Sequence, residues 1–152
     1  LLIADEPTTA LDVTIEAQIL SLISQMQERF NMAVIIITHD LGVVGQISDR
    51  IIVMYLGKIV EKSSTMEIFK SPLHPYTIGL LKSIPKIGSK KRLYNIKGSV
   101  PSPYLLPKGC NFNTRCEKVM EICREKEPPL IEVSKDHFAK CWLYSGSEKN
   151  DR

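Results

Sequence analysis

The chain has 152 residues, of which 43% are hydrophobic, with a formal net charge of +3 and a pI near 8.7. This apolar content is enough for one ordinary globular domain or two small ones, and it excludes a disordered chain. No apolar run approaches the roughly 20 residues that span a bilayer, and the basic residues are not clustered on one helix, so we expect no nucleic-acid partner.

The periodicity of apolar residues changes several times along the first 85 residues. Segments with helical spacing alternate with short β-branched runs, and the run AVIIIT is typical of a strand buried on both faces in a parallel sheet. Asp12 or Thr14 is suited to cap the first helix. The patterns predict, in order, a strand at the start, a helix at 13–30, a strand at 33–38, a helix at 41–48, strands at 50–55 and 58–63, and helices at 65–70 and 75–84.

Three short motifs place polar side chains where these strands end. LLIADEP puts Asp5 and Glu6 after an apolar strand, TALD adds Asp12, and IIITHD puts His39 after the next strand. A buried carboxylate is costly unless a cation or hydrogen bonds compensate it, so adjacent carboxylates indicate a cation, a proton-accepting role or exposure. Parallel strands deliver such residues to one sheet edge. Together the motifs resemble those of the ATP-binding cassette (ABC) ATPases.

That resemblance implies a role for each residue. Asp5 would lie at Mg²⁺ through its water shell, because this small cation keeps waters and takes few carboxylates. Glu6 would be the general base or water positioner for attack on the γ-phosphate of ATP, and His39 would contact that phosphate and hold the attacking water. Asp12, in the D-loop, would reach across a dimer interface to a sister ATPase subunit.

The resemblance covers only the second half of a cassette. The phosphate loop G-x-x-x-x-G-K-[ST], the glutamine loop and the LSGGQ signature do not occur within the 152 residues, and in the family they precede the matched motifs. We therefore expect the chain by itself to be inactive as an ATPase, since Glu6 would have no bound nucleotide to act on.

All four cysteines fall late in the chain, and no two form a CxxC pair. Disulfides are one interpretation, but a cytosolic protein sits in a reducing compartment. Zinc and an iron-sulfur cluster both accept four thiolates; structural zinc usually has closely paired ligands, whereas a cluster accepts wider intervals. His137 is an alternative ligand, Arg115 could offset thiolate charge, and Phe112, Phe138 and Trp142 are expected to form a small core around the site. The cysteines are Cys110, Cys116, Cys123 and Cys141.

Two further stretches, HPYTIGLLKSIP and GSVPSPYLLPKGCNFNTRC, resemble the C-terminal extension of the ATP-binding subunits of dipeptide and oligopeptide importers. In that branch the extension is associated with a [4Fe-4S] cluster, and all four cysteines align by motif. The resemblance implies a peripheral subunit on the cytoplasmic face of the cell membrane that hydrolyses ATP. Its implied partners are membrane permease subunits, a sister ATPase subunit and, indirectly, an extracytoplasmic peptide-binding protein. Only the last ten residues fall outside the resemblance.

The expected fold class is α/β. Residues 1–85 would be the C-terminal part of a P-loop cassette domain, with parallel strands plus helices, and residues 86–152 a small, loop-rich, cysteine-rich domain. The boundary is placed near residues 86–92, in a polar and basic run that precedes a proline-rich segment.

Three other functions stay open. A nickel importer would use a closely related cassette. A cassette of the DNA-repair or translation type is disfavoured by HPYTIGLL and by the cysteine tail. In a binding module, the cassette residues would be inert and the cysteine site would bind a partner.

Overall fold

The computed structural model describes residues 1–85 and 94–146. Its contacts divide the chain into two compact units, Leu1–Ser48 and Asp49 onward. The boundary expected near residues 86–92 lies outside the described residues and stays a prediction. None of the helices in the described ranges has both the length and the apolar content needed to cross a bilayer.

The first unit alternates strand and helix, as the sequence predicts. Its two strands pair in parallel, with Leu2 opposite Val34 and Asp5 opposite Ile37. Because the strands are parallel, their carboxyl ends lie at the same edge of the sheet. The elements are β1 (Leu2–Asp5), α1 (Val13–Phe30), β2 (Val34–Ile37) and α2 (Leu41–Ile47).

Aspartates cap both helices of this unit. Oδ1 of Asp12 accepts the backbone N–H groups of Thr14 and Ile15, each at 3.0 Å, which identifies Asp12 rather than Thr14 as the cap of α1. Asp40 caps α2 by accepting from Gly42 at 2.6 Å. Such caps satisfy backbone donors that have no partner within the first helical turn.

The prediction that the second strand is buried on both faces is wrong for the described chain. Ile35 and Ile37 are each about half exposed, at 50% and 49%, while Val34 and Ile36 are half-buried. Successive side chains of a strand point to opposite faces, so Ile35 and Ile37 share one face, and the described residues leave that face uncovered. One face of β2 is therefore open.

The second unit is built on a four-stranded antiparallel sheet in the order β3-β4-β6-β5. A tight turn at Leu56 and Gly57, both with positive φ (47° and 73°), joins the first two strands as predicted. The elements are β3 (Arg50–Tyr55), β4 (Lys58–Ser64), α3 (Thr65–Lys70), α4 (Pro75–Ser83), α5 (Glu121–Glu125), β5 (Ile131–Ser134), β6 (His137–Ala139) and a short 3-10 turn (Trp142–Tyr144).

This sheet incorporates the cysteine-rich segment. Strand β6 pairs with β4 through Glu61 opposite Ala139 and Lys62 opposite Phe138, and the N–H of Lys140 donates to the carbonyl of Val60 at 2.8 Å. The mixed α/β class is confirmed, but the described residues do not show the cysteine-rich part as a separate domain. Sequence periodicity missed this pairing because β6 is only three residues long.

Aromatic side chains fill the core of the second unit. Phe112 is buried, and its ring centroid lies 5.2 Å from that of Tyr55 and 5.4 Å from that of Tyr76. Of the expected core of Phe112, Phe138 and Trp142, only Phe112 is buried, so the prediction is confirmed for Phe112 and wrong for the other two. Phe138 is half-buried beneath the Lys62 ammonium, 4.2 Å from the ring centroid, and the half-buried Trp142 donates to the carbonyl of Lys126.

Below this core lies a buried carboxylate. Glu61 of β4 is 0% exposed, and both of its oxygens accept backbone N–H groups: Oε1 from Leu73 and Oε2 from His74, each at 2.8 Å. Nε2 of the buried His137 lies 2.8 Å from Oε1. Because the carboxylate already accepts on both oxygens, Nε2 is the donor in this contact.

His74 is the cap of α4 and carries no charge at neutral pH. Its Nδ1 accepts the N–H of Tyr76 at 3.1 Å. Burial lowers the pKa of His74 from 6.5 to about 4, because the charged imidazolium would lose its hydration.

This lowered pKa predicts a loss of stability in mild acid. His74 is protonated below pH 6.5 in the unfolded chain but only below about pH 4 in the folded chain. The unfolded chain therefore binds more protons between these values, and the free energy of unfolding should fall by about 2 kcal/mol between pH 7 and pH 5. Urea unfolding followed by the fluorescence of Trp142, the only tryptophan, measures it. His74→Asn keeps a cap acceptor without titrating, so its loss over this range should be smaller by that amount. Equal pH slopes in both proteins would contradict the prediction.

Candidate functional site

Glu6 is placed by the parallel ladder at the edge where β1 and β2 end. Its N–H donates to the carbonyl of Ile37 at 2.8 Å, which extends the ladder by one residue. The backbone then turns away with a positive φ of 47° at Glu6, a conformation that is uncommon for a residue with a side chain. Outliers of this kind cluster at functional sites.

The Glu6 carboxylate is held on both oxygens. His39 Nδ1 lies 3.1 Å from Oε1, and the Thr9 hydroxyl donates to Oε2 at 2.9 Å. The Thr9 hydrogen bond, and after it the contact with His39, lowers the pKa of Glu6 below its usual range. Glu6 is therefore ionised at neutral pH. An ionised carboxylate can only accept, so Nδ1 of His39 carries a proton in this contact.

Both side chains are open to a ligand. The side chain of Glu6 is 46% exposed and that of His39 is 77% exposed. Asp5 is exposed at the end of β1, and Asp12 is exposed with its Oδ1 engaged in capping α1. The structure thus joins Glu6 to His39, as the sequence predicts for these strand ends, while the roles assigned to all four residues stay predictions.

Thr9 is the contact that sequence reasoning missed. It lies three residues after Glu6 in a loop where Thr9 N–H also donates to the Glu6 carbonyl at 3.2 Å, so the turn itself brings hydroxyl and carboxylate together. A threonine three residues after an acid at a turn was the available signal.

A second cluster of functional candidates is formed by the four cysteines, all of which are free thiols. The N–H of Cys110 donates to the carbonyl of Cys123 at 2.8 Å. Gly109 permits this approach: its φ is +79°, and a Cβ there would lie 2.4 Å from the Cys123 carbonyl oxygen. All four cysteines lie in the described residues and none forms a disulfide bond, so the structure does not support the disulfide interpretation.

Three of the thiols interact with the backbone amide two residues further along the chain. The amides of Phe112, Lys118 and Leu143 lower the pKa of Cys110, Cys116 and Cys141 respectively. Burial is the larger influence and raises the pKa of all three, that of Cys141 to about 11. Cys141 also interacts electrostatically with each of the other three cysteines. The four thiols are therefore near enough to interact, and the raised pKa keeps Cys110, Cys116 and Cys141 protonated and neutral at neutral pH.

The expected metal centre is not observed as a compact ligand set. Within residues 1–85 and 94–146, no three His, Cys, Asp or Glu side chains form a group that could hold a metal ion. His137, the alternative ligand, has its Nε2 engaged by Glu61. The four-cysteine metal site accordingly stays a prediction.

Lysines, and not the expected arginine, supply positive charge near the thiols. Lys140 lowers the pKa of Cys110, and Lys118 lowers that of Cys116. Lys140 also donates to Glu127 at 2.5 Å. Arg115 is engaged elsewhere: its guanidinium donates to the carbonyls of residues 96 and 97 at 3.2 and 3.1 Å, and its Nη1 lies 3.5 Å from the Tyr55 hydroxyl.

The Thr9 contact generates a testable prediction about Glu6. Thr9→Val removes the hydroxyl at nearly constant volume, so the pKa of the Glu6 carboxyl should rise towards its ordinary value because the strongest hydrogen bond to the ionised form is lost. Thr9→Ser keeps the hydroxyl and is the matched control, with a pKa that should stay low. A carbon-detected NMR titration of Glu6 measures both. An unchanged pKa in Thr9→Val would show that Thr9 does not hold the carboxylate.

Comparison with known proteins finds one matching family model and several similar proteins. Residues 60–123 match the model of the oligopeptide/dipeptide transporter C-terminal region. The chain is 51% identical to the oligopeptide transport ATP-binding protein AppD of Bacillus subtilis, over 99% of this chain and 47% of AppD. It is 51% identical to the dipeptide transport ATP-binding protein DppD of Lactococcus lactis, over 94% of this chain and 41% of DppD.

A third relative is the probable peptide ABC transporter ATP-binding protein y4tR of Sinorhizobium fredii, 52% identical over 93% of this chain and 43% of y4tR. The chain spans a little under half the length of these relatives. The similarity includes both the strand-end site and the cysteine segment, since it extends over nearly the whole chain. Over nearly its whole length the chain is therefore similar to part of these peptide-transport ATP-binding proteins, and residues 60–123 resemble the oligopeptide/dipeptide transporter C-terminal region.

Proposed function

We propose that this chain is part of the ATP-hydrolysing subunit of an ABC-type peptide importer. The observation that carries the proposal is the Glu6 carboxylate, held by His39 and Thr9 at the edge where two parallel strands end. In open α/β folds this is the edge where ligands bind. The peptide-transport relatives supply the substrate class.

In the proposed reaction, Glu6 orients and polarises the water that attacks the γ-phosphate. Two hydrogen bonds to its ionised form make it a weak base at rest, so positioning is the larger part of its contribution. His39 uses the proton on Nδ1 to hold Glu6, which leaves Nε2 to face the phosphate. The exposure of both side chains supports this role, because a nucleotide must reach them.

Two aspartates complete the proposed site. Asp5, exposed at the end of β1, would hold Mg²⁺ through water, and the metal would neutralise charge on the phosphates. Asp12 caps α1 with Oδ1, which fixes the loop that connects Glu6 to the helix. A carboxylate fixed in this way is available to a sister subunit without further ordering.

The proposed partners follow from the same assignment. The subunit would bind membrane permease subunits from the cytoplasmic face, pair with a sister ATPase and depend on an extracytoplasmic peptide-binding protein for its substrate. The names of the relatives, which specify oligopeptide, dipeptide and peptide transport, support peptides over nickel.

ATP turnover tests the role of Glu6. In a full-length subunit that contains this sequence, Glu6→Gln should lower ATP hydrolysis by at least about a hundredfold while ATP binding persists and closed dimers accumulate, because only the handling of water is lost. Glu28→Gln, on the exposed end of α1, is the matched control and should hydrolyse ATP normally. Loss of ATP binding in Glu6→Gln would contradict the role. The 152-residue chain alone should show no turnover.

We further propose that the four cysteines hold a [4Fe-4S] cluster. The thiols interact with one another, and three of them have a backbone amide at hand to stabilise negative sulfur. Hydrogen bonds to sulfur and low solvent exposure are the means by which proteins tune such clusters. A cluster would supply a redox-capable or structural centre, held by Cys110, Cys116, Cys123 and Cys141.

The sequence intervals between the cysteines favour a cluster over a single zinc ion. Structural zinc usually has closely paired ligands, and no two of these cysteines form such a pair. A four-iron cluster spreads its metals over several ångströms and therefore accepts the wider intervals found here. Zinc is the alternative that the experiment must exclude.

Metal analysis of anaerobically purified chain tests this proposal. We expect a brown protein with about four irons per chain, and Cys123→Ser should lose the colour because a ligand is removed. Ser102→Ala, in the loop before the cysteines, is a control that should keep its iron. One zinc per chain without colour would replace the cluster by structural zinc. Two disulfides in freshly alkylated lysate would contradict both metals.

A further inference from the structure

The strand that leads into Cys141 is short. Strand β6 has three residues, of which two pair with β4 and all three with β5. Cys141 is only 8% exposed, two residues after Ala139. Side-chain contacts add to the backbone pairing at this end of the chain.

Glu61 provides such a contact from the neighbouring strand. Its carboxylate accepts from His137 at the start of β6 and from the backbone of Leu73 and His74, all at 2.8 Å. In the ladder Glu61 lies opposite Ala139, at the other end of β6. One fully buried residue therefore lies against both ends of the strand: its side chain contacts His137, and its position in the ladder is opposite Ala139.

A second contact is made by a residue that follows Cys141, and it reaches the same turn before α4. The Tyr144 hydroxyl donates to the carbonyl of Leu73 at 2.9 Å, while the N–H of Leu73 donates to Glu61. Cys141 is thus bracketed by two side chains, His137 and Tyr144, that both connect to the turn before α4.

The loop that carries the other three cysteines also contacts strand β4 and the residue that follows β6. Cys110 and Phe112 line one small cavity together with Val60 of β4 and Lys140, which follows β6. Cys110 in turn is fixed to Cys123 through the backbone. The loop with the first three cysteines therefore packs against the strands that Glu61 joins.

We propose that Glu61 is a positioning residue for the four-cysteine site: its buried carboxylate, through His137 and the β4–β6 register, places Cys141 beside Cys110, Cys116 and Cys123. The importance of this role for cofactor binding rests on the proposed cluster. The placement of Cys141 by Glu61 does not rest on a cluster and is tested without one. The same carboxylate accepts the N–H groups of Leu73 and His74 just before α4. The cysteine site and the start of this helix are therefore held by one residue.

Native-state alkylation of each thiol tests the placement without any metal. The chain is kept reduced with a chelator present and treated with iodoacetamide, and each cysteine is quantified by peptide mass spectrometry. In Glu61→Gln and in His137→Gln, Cys141 should react about tenfold faster than in the unmodified chain, because losing one partner of a buried hydrogen bond favours local opening. The other three cysteines should change by less than about twofold, since their loop keeps its own contacts.

Glu67→Gln, on the exposed surface of α3, is the matched control and should leave all four rates unchanged. If Glu61→Gln unfolds, His137→Gln provides the test. In this variant the N–H groups of Leu73 and His74 still donate to the Glu61 carboxylate. A uniform rise of all four thiols in His137→Gln, or an unchanged Cys141, would overturn the proposal.

An iron and sulfide reconstitution separates this inference from the proposed cluster. If the unmodified chain takes up iron, Glu61→Gln should show an altered reduction potential or electron paramagnetic resonance spectrum at equal loading of the folded fraction, and Glu67→Gln should not. Identical potentials and spectra would overturn the positioning role. If the unmodified chain takes up none, the cluster fails, and the alkylation rates still decide whether Glu61 places Cys141.

Discussion

The buried carboxylate of Glu61 is the interaction on which the second unit depends. A desolvated carboxylate is unfavourable unless its oxygens are satisfied, and here three donors from two separate segments satisfy them. The segments are 12 and 76 residues away in sequence. Removing any donor would leave a buried charge less compensated, and this penalty favours a single arrangement of β4, the turn before α4 and β6.

A comparable arrangement on an exposed carboxylate has a different consequence in the first unit. Glu6 is also held on both oxygens, by His39 and Thr9, but solvent reaches it. Its hydrogen bonds are therefore exchangeable with water, and little stability depends on them. What they set is the ionisation and direction of the carboxylate, which are the properties that a residue handling water in phosphoryl transfer requires.

Much of the first 85 residues could be predicted because local signals there agree. The helix at 13–30 and the helix at 65–70 have the bounds that periodicity gave, since each has a side-chain cap and an apolar stripe. The contact between Glu6 and His39 was predictable because parallel strands bring their ends to one edge. The hydrogen bond from Thr9 to Glu6 was not predicted, because it depends on the geometry of one loop.

The C-terminal part was less predictable for a physical reason. Strands β5 and β6 have four and three residues, too few for a period of two to be recognised, and β6 is specified by a long-range partner. Nothing local distinguishes His137 as the partner of Glu61 from His137 as a metal ligand. The same holds for Arg115, whose charge suggested thiolates but whose planar donors bind backbone carbonyls instead.

Opposing electrostatic effects act on the cysteine thiols, and they would set the conditions for the proposed metal binding. Burial raises the pKa of Cys110, Cys116 and Cys141, so the folded chain keeps these thiols protonated, while amides two residues on and two lysines favour the thiolate. In the proposed site a metal would replace these protons, and the amides and lysines would stabilise the thiolates, so binding would release protons and grow stronger as pH rises. Because burial raises the pKa of Cys141 to about 11, its placement through Glu61 would limit how readily this ligand joins.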